Sequence, residues 1–120
     1  MKGNKKQNYK GSCHCGEVKF EVRLVLDHVR VCDCSVCFKR GALNYRVENA
    51  DLDLLTPLLD MNLYQWHTKT AKDYFCSNCG ILPFRRPRTA PELWTVNIRS
   101  LDDVDLSGLP IKNVHGSKLN

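Results

Sequence analysis

No stretch of this chain approaches the roughly 20 consecutive apolar residues that a membrane-spanning helix needs. No apolar run follows the charged start MKGNKKQNYK, so the N-terminus does not read as a secretory signal. The ending SKLN places Asn120 after SKL, which is not a peroxisomal address as it stands. The expected compartment is cytoplasmic or nuclear, where thiols stay reduced. An even cysteine count is also lacking: there are 7, so full disulfide pairing would strand one thiol. Internal repeats and low-complexity segments are absent.

A large basic surplus is missing as well. The formal charge is +5. Lys2, Lys5, Lys6 and Lys10 supply most of it, with no acid among residues 1–10. Seven thiolates around two zinc ions would bring the total to about +2. That argues against a nucleic-acid binder, which presents a basic face to several phosphates. Residues 1–10 read as a flexible basic arm, and residues 11–120 as one zinc-binding domain. At 120 residues the chain can bury only a modest core, and a metal adds stability to a domain of that size.

What is present is mostly strand. In EVKFEVRL, Val18, Phe20, Val22 and Leu24 alternate with charged residues, a period of two with one buried face. HVRVC, ALNYRV, NLYQWHT, KDYF and LWTVNIR read as further short strands, with Trp94, Val96 and Ile98 on one face of the last. In NADLDLLTPLLDM, Pro57 breaks any long helix, so a strand to Leu55 and at most a turn or two of helix are expected. The segment LDDVDLSGLPIKNVHG reads as loop. The fold class is therefore mainly β, with cysteine-bearing turns.

Three clusters carry the thiols: Cys13-His14-Cys15, Cys32-Asp33-Cys34-Ser35-Val36-Cys37, and Cys76-Ser77-Asn78-Cys79-Gly80. The C-x-x-C-G turn suits half of a tetrahedral zinc site, because Gly80 can take positive φ and close it. Soft thiolates suit an iron–sulfur cluster too. Seven divides into four plus three. Four thiolates make a closed structural site, whereas three leave an open position of the kind catalytic zinc keeps. Spacing alone does not decide whether the C-x-x-C pair joins the first cluster or the second. His14, His28, His67 or His115 would close the open position, and no spacing singles one out.

The runs GSCHCGEVKFEV, CDCSVCFKRGAL and TAKDYFCSNCGILPFRRPR resemble the glutathione-dependent formaldehyde-activating enzyme family, which includes centromere protein V-like domains. The match spans about residues 9–100. The resemblance implies a β-tent of small antiparallel sheets around zinc sites. It implies that Cys13, Cys15, Cys76 and Cys79 share a structural zinc. It implies that Cys32, Cys34 and Cys37 hold a second, catalytic zinc, giving two Zn2+ per chain; the net negative charge of a three-thiolate site makes a labile second ion conceivable. The implied activity is that of a carbon–sulfur lyase on a glutathione–formaldehyde adduct, with a small thiol or aldehyde as partner. Arg85, Arg86 and Arg88 are candidates for pairing with carboxylates of such a ligand, or else form a solvated basic turn with Pro87. Asp33 and Ser35 would relay a proton or hydrogen-bond within the metal loop. Longer family members carry a C-terminal extension that is not in this sequence. The alternative function is a non-catalytic zinc-stabilised binding module, with the basic arm meeting an acidic protein partner.

Overall fold

The computed structural model describes residues 5–116. Lys2 of the expected arm and the terminal SKLN lie outside the described residues. Strands β1 (Gln7–Ser12), β2 (Lys19–Leu24) and β5 (Leu52–Leu54) form one antiparallel sheet in the order β1-β2-β5. The second sheet adds β3 (Val29–Cys32), β4 (Asn44–Val47), β6 (Met61–Tyr64), β7 (Lys72–Cys76), β8 (Phe84–Arg86), β9 (Trp94–Asn97) and β10 (Ile111–Val114). Its order is β10-β3-β4-β9-β8-β7-β6, antiparallel except for the β10–β3 pair. The chain is mainly β, as its alternating pattern requires.

The two sheets meet through aromatic rings. Phe20 on β2, Leu24 on β2 and Phe84 on β8 are fully buried. The rings of Phe20 and Phe84 meet edge to face at 5.5 Å, and Phe84 meets Trp94 at 5.3 Å. Such T-shaped contacts set the positive edge of one ring on the negative face of the next. Gly11 on β1 lets the Phe20 ring lie against its backbone: a Cβ there would stand 2.1 Å from a ring carbon. Gly11→Ala is therefore expected to overpack this point and to cost about 1–3 kcal/mol. A lower urea midpoint at unchanged m-value would show it.

Several expectations are corrected here. Residues 7–10, read as arm, belong to β1, where Gln7 pairs Leu24 and Lys10 pairs Glu21. Backbone pairing and the half-buried Tyr9 outweigh the lysine-rich composition. The middle cysteine cluster is not only a turn: Ser35–Arg40 forms helix α1, capped by Gly41 at φ 70. Its basic last turn, Lys39 and Arg40, suits the negative end of the helix dipole. NLYQWHT is strand only to Tyr64. A turn follows, closed by Lys69 N–H donating to the Trp66 carbonyl, with His67 and Lys69 at positive φ. IKNV, read as loop, is edge strand β10; it buries almost no side chain, so no alternation marked it. The Pro57 reading stands: β5 ends at Leu54 and a short 3-10 turn follows at Leu58–Asp60.

Candidate metal centres

The first cysteine pair lies in the β1–β2 connection. Cys13 N–H donates to the Val18 carbonyl, and Gly16 N–H to the Cys13 carbonyl, folding Cys13 and Cys15 into one tight loop. The last pair lies in the β7–β8 connection. There Cys76 N–H donates to the Ile81 carbonyl and Gly80, at φ 82, donates to the Cys76 carbonyl. These two turns face each other. The sulfurs of Cys13, Cys15, Cys76 and Cys79 all lie within 4.8 Å of one another. Cys13 to Cys15 is 3.5 Å and Cys15 to Cys76 is 3.6 Å. Thiolates at ~2.3 Å around a tetrahedral zinc stand about 3.8 Å apart, so the quartet fits such an ion. Backbone N–H groups of Val18, Asn78 and Cys79 point at Sγ atoms of Cys13 and Cys76 at 3.3 to 3.4 Å. These donors favour the thiolate form that a metal requires.

The middle cluster forms a second, separate group. Cys32 ends β3, Cys34 is the residue before α1, and Cys37 lies within it. Their sulfurs also lie within 4.8 Å of one another. No histidine or carboxylate among the described residues joins them at that spacing. His14 is exposed, His28 pairs with Asp27 at 2.7 Å, and His67 lies on a cleft beside the triad. His115 Nδ1 stands 3.2 Å from Asp33 Oδ2. Ser35 is exposed at the first turn of α1. Strand β10 puts Val114 opposite Cys32 and carries the chain on to Gly116. A Cβ on Gly116 would stand 2.5 Å from Cys32 Sγ, so this backbone closes tightly over the triad.

Each group holds one thiol whose pKa its surroundings raise well above neutral pH. Hydrogen bonds from the backbone of Ile81 and Cys15 bring Cys79 down to about 6. The Cys79 N–H also favours ionised Cys76, but burial and the sulfurs of Cys15 and Cys13 push that thiol up to about 11. Burial pushes Cys37 up to about 12, against the pull of the Arg85 guanidinium. A metal must therefore displace protons at neutral pH. Metal loading at pH 7 is expected to release protons, and affinity to fall as pH falls. Calorimetry in buffers of different ionisation enthalpy would count the protons; no release would contradict the thiolate sites.

The three arginines after the knuckle have different surroundings. They do not form a solvated turn: Arg85 and Arg86 lie on β8, and Pro87 is buried. Arg86 stacks on the Trp94 ring at 3.7 Å and donates to Asn49, Glu92 and Leu93, so it serves the packing. Arg85 pairs through Nε with Asp73, a carboxylate with no solvent exposure, and its Nη1 lies 4.0 Å from Cys37 Sγ. Arg40 from α1 reaches the same carboxylate at 3.0 Å. Arg88 lines the cleft. Sequence reasoning missed Asp73. Its signal was weak, because Tyr74 and Cys76, which join the core, alternate with it along β7. Asp73→Asn would leave two largely buried guanidiniums without a counter-charge and is expected to cost about 3 kcal/mol. Urea unfolding of the variant checks this.

The cleft holds about 630 Å³, its open mouth included. Cys32 and Cys34 form part of its wall, with Arg46, Trp66, Arg85 and Arg88 around them. A family model described as "Glutathione-dependent formaldehyde-activating enzyme" matches residues 8–115. The chain belongs to this family. A crystal structure of a Rhodobacter sphaeroides protein is 39% identical, with a TM-score of 0.77 over 86% of this chain and 99% of that one. Membership associates the chain with glutathione-dependent formaldehyde activation and a small-molecule substrate. Both cysteine groups of this formaldehyde-activating-enzyme domain could hold metal, and the donor sets are compatible with zinc. No described helix is long and apolar enough to cross a membrane.

Proposed function

We propose that this protein is a zinc-dependent carbon–sulfur lyase acting on adducts of the S-hydroxymethylglutathione type. One observation carries the reading: the cysteines fall into a quartet and a trio, and two of the trio's three residues line an open cleft. Cys13, Cys15, Cys76 and Cys79 would hold a structural ion that ties the β1–β2 turn to the β7–β8 turn. Cys32, Cys34 and Cys37 would hold the working ion. A zinc ion there would supply Lewis-acid polarisation or thiol activation at an open position.

The protein residues complete the chemistry around it. Breakdown of the adduct breaks the carbon–sulfur bond. The sulfur leaves with the bonding pair, the hydroxyl loses its proton as the aldehyde carbonyl forms, and the thiolate takes a proton up. Three thiolates make the site electron-rich, which opposes charge build-up on the departing sulfur. Arg85, fixed by Asp73, places a positive charge 4.0 Å from Cys37 Sγ and offsets part of that charge. Trp66, Pro87 and Val114 give the cleft apolar walls that limit water around the adduct.

The test combines elemental analysis with exchange spectroscopy. Two zinc ions per chain are expected, one leaving to a mild chelator without unfolding. Magnetisation-transfer NMR should show faster exchange between glutathione and its formaldehyde adduct with the loaded protein than without it. Two ions that leave only on unfolding, with no acceleration of exchange, would favour the zinc-stabilised binding module instead.

A further inference from the structure

Asp73 has no exposure to solvent and lies opposite Arg85 in the β7–β8 pairing. One of its oxygens accepts from Arg85 Nε, and the other from Arg40 Nη2, 33 residues back in the chain. Three elements therefore meet on one carboxylate: α1, β7 and β8. A wholly buried ion cluster adds little net stability over an apolar filling of the same volume, because each charge gives up its hydration. What such a cluster does fix is geometry, since hydrogen bonds to each oxygen have preferred directions.

Helix α1 has need of such an anchor. It has six residues, no side-chain bond caps its N-terminus, and Cys37 is its only buried residue. Ser35, Phe38 and Lys39 are exposed. Cys32 is held by the pairing of β3 with β10, whereas the place of Cys37 depends on how the helix lies. Cys37 and Arg40 are three positions apart and so share a face of it. Seating Arg40 on Asp73 fixes the rotation of α1 about its axis, and with it the direction of Cys37 Sγ. The same carboxylate holds the Arg85 guanidinium, whose Nη1 stands 4.0 Å from that sulfur. The charges also correspond. Two guanidiniums against one carboxylate leave one positive charge, and Arg40 Nη1 is shielded from solvent with no acceptor among the described residues. Three thiolates around a dication leave one negative charge beside it.

We infer that Asp73 is a positioning residue for the second metal site: through Arg40 it turns Cys37 toward Cys32 and Cys34, and through Arg85 it sets a counter-charge against the filled triad. This rests on the reading above that the triad holds a metal ion. Asp73 acts on that ion only through other side chains.

Cobalt(II) in place of zinc makes both sites visible through their sulfur-to-cobalt and d–d absorption bands. The full chain, loaded with cobalt, is titrated with a competing chelator; the step that Cys37→Ser lacks belongs to the triad. Asp73→Asn is expected to weaken the triad's hold by about tenfold or more, to change its d–d bands, and to leave the quartet's step in place. Arg40→Met unties α1 while Arg85 keeps its partner, and it is expected to weaken the triad by about tenfold as well. It decides the matter if Asp73→Asn does not fold. Gly11→Ala, destabilised from the other sheet, is expected to keep the triad affinity and spectrum of the parent, which separates positioning from mere loss of stability. Charge alone predicts the opposite sign: removing the carboxylate leaves more positive charge beside the thiolates, which would tighten the hold. An unchanged or tighter triad in Asp73→Asn, or the same loss in Gly11→Ala, overturns the inference while the triad remains a metal site. A parent protein with a single cobalt step overturns the metal reading of the triad and the inference with it.

Discussion

Cys76→Ser is expected to leave the chain unfolded. Cys76 ends β7, is almost fully buried, and contributes one of four sulfurs that join two turns 61 residues apart. A structural zinc contributes roughly 10–16 kcal/mol in small zinc-finger peptides. A domain of this size is stable by only about 5–15 kcal/mol in all. Losing one ligand of the quartet therefore removes a free energy comparable with the whole. The core in which Phe20 of the first sheet meets Phe84 of the second leaves little margin, because the net stability of a domain is small beside the terms that make it up. Far-UV circular dichroism should show loss of strand signal, and elemental analysis the loss of the firmly held metal. A folded, zinc-free Cys76→Ser protein would refute the structural assignment of the quartet.

Cys37→Ser is expected to behave in the opposite way. The fold should survive, metal content should drop from about two to about one per chain, and adduct exchange should slow by at least about a hundredfold. Cys37 is buried in α1, but serine is close to it in size and the helix keeps its Gly41 cap. The remaining cost is a buried hydroxyl, about 1–3 kcal/mol if it finds no partner. Unlike the quartet, the triad is drawn from one short stretch of chain, Cys32 to Cys37, so its metal closes no long loop. If Cys37→Ser unfolds together with Cys76→Ser, both ions are structural and the open working site is wrong. If it keeps full exchange activity, the reaction does not run at the triad.

The pattern that was legible in the sequence is the one that buries side chains. Phe20, Val22 and Leu24 alternate and lie buried as the period of two requires. Trp94, Val96 and Ile98 share a buried face, although Ile98 already begins a 3-10 turn after β9. The division of seven cysteines into four and three was also legible, since spacing and arithmetic led there before geometry grouped the sulfurs. The pairing of turns was not, and needed the family resemblance. Elements that bury little were invisible. β1 has only Tyr9 and Gly11 turned inward, among lysines, and β10 has an exposed Ile111 beside Gly108 and Pro110. Helix α1 has six residues, too few to display a period of 3.6, and its cysteines drew the eye to metal first. Arg46 and Trp66 escaped notice because their place at the cleft depends on tertiary neighbours alone.

The parallel pairing of β10 with β3 also sets an order of assembly. The quartet is chemically complete once Cys79 has been synthesised, and a metal held there could then bridge β1–β2 to β7–β8. The wall over the triad is not, because Val114 and Gly116 come from near the far end of the chain, and Val29 waits for a partner 82 residues later. Contacts this distant in sequence form slowly, since loop closure precedes any gain from pairing. During translation the triad therefore stays uncovered and open to cellular thiols and stray metal ions for the whole interval between emergence of Cys37 and emergence of Gly116. If both groups take a metal, the quartet could fill as soon as its two turns meet, whereas the triad would be enclosed only once β10 has paired with β3.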